Sequence, residues 1–270
     1  MGVCLLTSLL GILGGFLVVI CGALADRDPL SSLFSLTAVI IVICGSITAV
    51  IVQFGLGRIL LAFKGVFWLV KPPRTDLHAF IEQVSEWSAM ARSQGTLVLE
   101  SVIPTVADPF QRQGLQMIVD NTAPEDFAAI LKIMAEKTAR MQETPAEVWE
   151  ALGGYSPTIG VMGAVLGLIH VMMRLDHPEE LGEGIATAFV ATIYGVGFAN
   201  LVALPLGGRL KHLARELERE RHVAIQGFIL LAEGKPGLVI KQNLESYLET
   251  KSKAYDDRAG EPAAVPQVAE

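Results

Sequence analysis

Four stretches of the sequence are apolar almost throughout and contain no Asp, Glu, Lys or Arg: residues 3–25, 33–56, 157–173 and 185–206. A hydrocarbon layer about 30 Å thick takes about 17–25 such residues in helical form. The pattern predicts four transmembrane helices, paired as hairpins within 1–56 and 157–206. Between the hairpins, residues 57–156 alternate polar and apolar positions in a helical rhythm. Phe80, Val84, Trp87 and Ala91 are spaced 4, 3 and 4, which is one face of a helix. The stretch predicts a helical domain outside the membrane. Residues 207–270 predict a charged helix, over about 210–232, and then a disordered tail.

Prolines and glycines punctuate this pattern. Pro72-Pro73 and Pro104 interrupt helices, and Gly234-Lys235-Pro236-Gly237 ends the charged helix. Pro124 before Glu125-Asp126 reads as a helix start, as does Pro145-Ala146-Glu147. The second of these leads to Gly153-Gly154, ahead of a third membrane helix that begins at Pro157. The first apolar run ends in Ala23-Leu24-Ala25, which has the small-x-small form of a signal-peptide cleavage site. No basic residue precedes that run, and it exceeds the usual core of about 7–15 residues, so a membrane helix is expected.

Composition agrees with a membrane protein. Hydrophobic residues make up 51% of the 270 and charged residues 18%, with a mean hydropathy of +0.48. The net charge of −7 argues against a nucleic-acid partner. Cys4, Cys21 and Cys44 all lie in apolar runs without a CxxC pair, so neither a disulfide framework nor a zinc site is expected. No cofactor is expected. No Ser/His/Asp set, phosphate-binding glycine loop or paired carboxylates stand beside a His, so an enzyme is not expected either.

Basic residues predict the orientation. The short links 26–32 and 174–184 hold only Arg27 and Arg174, among several acids, and the other nineteen of the twenty-one Lys and Arg lie on the opposite side. The positive-inside rule places both termini and the central domain in the cytoplasm. Within the apolar runs the polar residues are few: Gln53, His170, Thr187, Thr192, Tyr194 and Asn200 among them. No carboxylate stands at membrane depth, and a proton relay normally needs a titratable group there. If this chain moves ions, that group must come from another protein. Gly160, Gly163 and Gly167, with Ala164 beside them, form one smooth helix face, and Ala188, Thr192, Gly195 and Ala199 form another. Such faces suit a groove for a further helix, a seam between subunits, or packing within the chain.

Three segments carry a family resemblance. Residues 86–100 read EWSAMARSQGTLVLE, residues 155–169 read YSPTIGVMGAVLGLI, and Leu181-Gly182 is followed by AFVATIYG at 188–195, ending at Pro205. Together they resemble the MotA/PomA family, the A subunit of the bacterial flagellar stator. The resemblance implies an all-α integral membrane protein of the cell inner membrane, with four transmembrane helices and a large cytoplasmic loop between the second and third. It implies a homo-pentamer around a dimer of a MotB-like subunit, whose single membrane helix carries the missing aspartate. Protons passing that aspartate would drive torque on the rotor switch protein of the flagellar C-ring. The resemblance assigns rotor contact to Arg92 and Glu100, the ion pathway to Thr192, Ala164 and Tyr194, and conformational coupling to Pro157 and Pro205. Sodium-type relatives carry a threonine where Ala164 stands. An alanine side chain offers no oxygen ligand, so proton coupling is expected. A TolQ/ExbB-type motor subunit is the alternative, although such chains have three membrane runs with the large loop after the first. A passive membrane scaffold is the other.

Overall fold

The computed structural model describes residues 34–70, 77–173 and 178–246, with part of 10–25. The links at 26–33 and 174–177, Pro72-Pro73 and the 260–270 tail lie outside the described residues, as does much of the first apolar run. All regular structure among the described residues is helical. Helix α1 spans Leu36–Phe54 and contains a π turn at Ile40–Cys44. Ser35 caps its N-terminus by accepting from the Ala38 amide at 3.3 Å. Gly55, with φ 77°, ends it in a conformation that costs other residues about 1–2 kcal/mol. Helices α2 (Leu56–Val70), α3 (Leu77–Gln94), α4 (Pro109–Val119), α5 (Pro124–Met172) and α6 (Pro178–Phe198) follow. A π turn at Ala199–Ala203 joins α6 to α7 (Leu204–Ala232), and α8 covers 237–246. Among the described residues, three helical stretches are long and apolar enough to cross a membrane: Leu36–Phe54, Asp126–Met172 and Gly184–Ala232.

The chain forms two compact units, residues 1–73 with 140–215 and residues 74–139 with 216–270. In the first, Val50, Ile59, Ala62, Trp149, Leu152, Ala203 and Leu210 share a core. The Trp149 indole donates to the Ala62 carbonyl at 3.3 Å and meets the Phe63 ring edge-on at 5.4 Å. Lys211 pairs with Glu150 at 3.0 Å, fixing α7 beside α5.

In the second unit the 4-3-4 row is the core face of α3. Phe80, Val84 and Trp87 are buried and Ala91 packs against them. Phe228 of α7 meets Phe80 edge-on at 5.6 Å and stacks on Trp87 at 6.4 Å. Asp108 caps α4, accepting from the Phe110 amide at 3.0 Å, and also pairs with Arg221. The Arg221 guanidinium lies 4.7 Å above the Phe110 ring. Gly234, with φ 68°, stops α7. Helix α8 then packs Ile240 and Leu244 into the core, held by a Ser88 hydroxyl donating to the Lys235 carbonyl at 2.6 Å. Lys241 donates to the Glu82 carboxylate, and that hydrogen bond together with the negative charge raises the ammonium above its ordinary pKa.

One expectation is corrected. Pro124 does begin a helix, but Pro145 and Pro157 lie inside α5, which runs unbroken for 49 residues. Hydroxyls beside the prolines bond carbonyls of the same turns. Thr144 donates to Arg140 at 3.0 Å, Ser156 to Leu152 at 2.5 Å and Thr158 to Tyr155 at 2.8 Å. Packing holds both turns in the helix: Pro145 lies against Gly65 and Pro157 against Gly195, and such tertiary contact overrides the local cost of a missing amide donor.

Candidate functional site: the membrane hairpin and the α3 corner

The smooth faces of α5 and α6 pack on each other within the chain. A Cβ added to Gly160 would meet the Ala191 carbonyl at 2.8 Å, and one on Gly195 would meet the Ser156 carbonyl at 2.5 Å and the Pro157 Cα at 3.2 Å. Near the other end, a Cβ on Gly167 would lie 3.1 Å from the Ala188 side chain. The seam therefore joins Gly160, Gly163 and Gly167 to Ala188, Ala191 and Gly195. Thr192, which the spacing places on the same face, is displaced from the seam by Ala191. Backbones this close leave no room for a further helix between α5 and α6.

Ala164 follows the seam residue Gly163, and Thr192 follows Ala191. In two antiparallel helices facing each other, these positions fall on the same flank of the seam. Tyr194 falls on the other flank, where it packs with Val190 and Ala191 against Ala38 of α1. The three expected ion-pathway residues are thus divided. Ala164 and Thr192 share the flank that α1 does not cover, and Tyr194 faces α1. Both Ala164 and Thr192 are half-buried. The Thr192 hydroxyl donates to the Ala188 carbonyl at a long 3.4 Å, which leaves its lone pairs for another donor.

A cavity of about 560 Å³ lies on the α1 side, lined by Thr37, Ile41, Leu166, His170 and Thr187 among others. None of the expected pathway residues lines it. His170 is exposed and turns toward this cavity rather than toward Thr192.

Pro157 is half-buried against Gly195, and Pro205 is the exposed second residue of α7, directly after the π turn. Pro205 thus stands beside a register change, whereas the helix continues through Pro157. Sequence reasoning missed two features here. One is a hydrogen bond from the Tyr155 hydroxyl to the Gln53 side-chain oxygen at 3.0 Å. The other is the pair of π turns. Neither leaves a periodic signal.

Arg92 and Glu100 lie in the second unit, on either side of a corner. Arg92 occupies the last turn of α3. Gly95, with φ 87°, turns the chain into a 3-10 helix at Thr96–Ser101, which carries Glu100. Buried Leu99 anchors that turn, while Arg92, Leu97 and Glu100 are exposed. No ion pair among the described residues engages either charge. Two opposite, solvated charges on a rigid corner suit weak and reversible contact with a charged partner, at about 0–1 kcal/mol per pair. Among the described residues no group of His, Cys, Asp and Glu has the arrangement of a metal site.

Two charge-free helical segments sealed to each other by glycine and alanine, with a hydroxyl on their open flank, define an all-α integral membrane protein. A profile of the MotA/TolQ/ExbB proton channel family matches residues 103–222. The chain belongs to this family. Motility protein A of Bacillus subtilis (strain 168) is 33% identical over 258 residues, 94% of this chain and 95% of that protein. Motility protein A of Helicobacter pylori (strain ATCC 700392 / 26695) is 30% identical, over 83% of this chain and 87% of its own. The flagellar MotAB stator complex from Bacillus subtilis matches with a TM-score of 0.79 and 32% identity, covering 92% of this chain and 97% of that one. C. jejuni MotAB, at 24% identity, shares the fold with a TM-score of 0.82 over 98% of this chain and 99% of that one.

Proposed function

We propose that this chain is the A subunit of a flagellar stator, which joins a B-type subunit to conduct protons and convert their passage into torque. The observation that carries this reading is likeness to Motility protein A of Bacillus subtilis along nearly the whole of both chains. The missing carboxylate supports it. Four charge-free runs enclose hydroxyls and no acid, so a partner helix must supply the titrating group. Ala164 and Thr192, on the flank opposite α1, are where that helix would lie. The alanine provides no oxygen for a sodium ion, which favours protons. Five copies around two B-type chains, in the inner membrane with both termini cytoplasmic, make the assembly. Its surrounding lipid meets the exposed apolar rows, and Arg92 and Glu100 meet charged groups of the rotor switch protein.

The family also includes TolQ and ExbB. Matches along most of the length of motility proteins favour the stator reading over that one. The test is complementation. A strain lacking this chain should lose swimming, and the wild-type chain, supplied with its B-type partner, should restore it. Restored speed should follow the proton motive force at fixed external sodium. Retained swimming in the deletion strain, with no other stator present, would refute the assignment. Speed that tracked external sodium at constant proton motive force would refute proton coupling.

A further inference from the structure

At Ala199–Ala203 the fourth apolar run leaves α-helical register for a π turn. There the Leu204 amide bonds the Ala199 carbonyl, five residues back, instead of the usual four. In the same turn the Asn200 side chain bonds back along the helix: its Nδ2 donates to the Val196 carbonyl at 2.9 Å. Just beyond the turn, Pro205 has no N–H to give, which withholds the amide that would serve the carbonyl four residues back, at Leu201. The loosened backbone and its carboxamide lie six residues from the inner end of the 185–206 run.

Neighbouring residues fix the direction in which Asn200 projects. Phe198, Val202 and Leu206 pack against the core cluster that contains Val50 of α1. Ala199 and Ala203 are buried, and Gly195, one turn earlier, lies against α5. Asn200 is exposed on the remaining side, away from both α1 and α5. Thr192, Val196 and Asn200 follow one another at intervals of four, forming a ridge that runs inward along the helix. At hydrocarbon depth, irregular backbone is tolerated where it is buried in protein or lines water, and an exposed carboxamide facing lipid is costly. Both features occur here on the same turn.

We propose that Asn200 is the inner station of the ion route that Thr192 begins. Its carboxamide oxygen and the loosened carbonyls hold the water that passes the ion from the Thr192 level toward the cytoplasm. Asn200 acts as a positioning residue for water and takes no proton itself. The inference rests on reading the chain as an ion-conducting subunit.

The test uses the full chain co-expressed with its B-type partner, as wild type, N200L, N200A, N200S and T192A. Proton uptake, co-purification, and rotation speed at low and at stalling load are measured. The expected result is that N200L lowers proton uptake and low-load speed severalfold, while co-purification and stall torque stay at wild-type level. N200S, which restores a hydroxyl, should recover most of the flux. A merely structural role would lower stall torque and assembly together. Wild-type flux in an assembled N200L complex overturns the proposal and leaves Asn200 only as a cap for Val196. If N200L does not assemble, N200A is read in its place, and unchanged flux overturns the proposal there. Loss of flux in T192A with full flux in the Asn200 variants sinks this inference alone. A wild-type complex that moves no protons sinks the functional reading and this inference with it.

Discussion

The Tyr155 hydroxyl donates to the Gln53 side-chain oxygen at 3.0 Å, joining α1 to α5 across 102 positions of sequence. Tyr155 lies two residues before Pro157, and Gln53 two before the left-handed Gly55. The bond therefore ties the end of α1 to the turn of α5 that carries a proline. Tyr155→Phe keeps the ring and removes the donor. We expect it to lower the stability of the purified complex by about 0.5–1.5 kcal/mol, read as thermal unfolding in detergent. An unchanged melting temperature would show that water replaces the bond without loss.

The glycine seam predicts a sharp contrast between neighbours. Gly195→Val should disrupt α5–α6 packing, because even its Cβ falls 2.5 Å from the Ser156 carbonyl. A cost of about 1–3 kcal/mol or more is expected for such overpacking, with loss of accumulated protein in the membrane. Gly197→Ala has open space around its added Cβ and should be tolerated. Immunoblots of membrane fractions and thermal melts separate the two. Equal behaviour would mean that the seam opens in the assembled protein.

Charge at the α3 corner should govern torque and not folding. Arg92 and Glu100 are both exposed. Arg92→Glu is expected to change stability by no more than about 0.5 kcal/mol. Its swimming speed should fall clearly, and further still when combined with Glu100→Lys if both charges meet the rotor. A melting temperature lowered in step with speed would place the defect in folding instead.

Asp108 performs two tasks that different substitutions can separate. Asp108→Asn keeps an oxygen to cap α4 but removes the charge facing Arg221. Asp108→Ala removes both, leaving the half-buried guanidinium over the Phe110 ring without this carboxylate. Loss of the cap costs about 0.5–2 kcal/mol, so the alanine variant should melt below the asparagine variant. If the two melt together, the ion pair rather than the cap carries the effect.

The sequence displayed the parts that depend on local periodicity. The row Phe80, Val84, Trp87 and Ala91 announced the buried face of α3, because burial on one side of a helix recurs every three or four residues. The charge-free runs announced a membrane protein for the same kind of reason. Pro145 and Pro157 misled, since a proline reads as a boundary unless its packing partners, here Gly65 and Gly195, are known. Glycine spacing revealed a smooth face but not its partner, which depends on how the hairpin closes. Thr192 and Ala191 are adjacent, and only the helix pairing decides which of them enters the seam. The Tyr155–Gln53 bond and the π turn at Asn200 depend on long-range contact and on a one-residue change of register, and neither repeats along the chain.

Glycine and alanine have no side-chain rotamers to freeze, so closing the α5–α6 seam forfeits almost no side-chain freedom. Nor does it leave any springy layer between the two backbones. The pair consequently behaves as one stiff strut. A nudge delivered at the Thr192 edge would be felt by both rods at once, with no soft cushion in which the stroke could be lost.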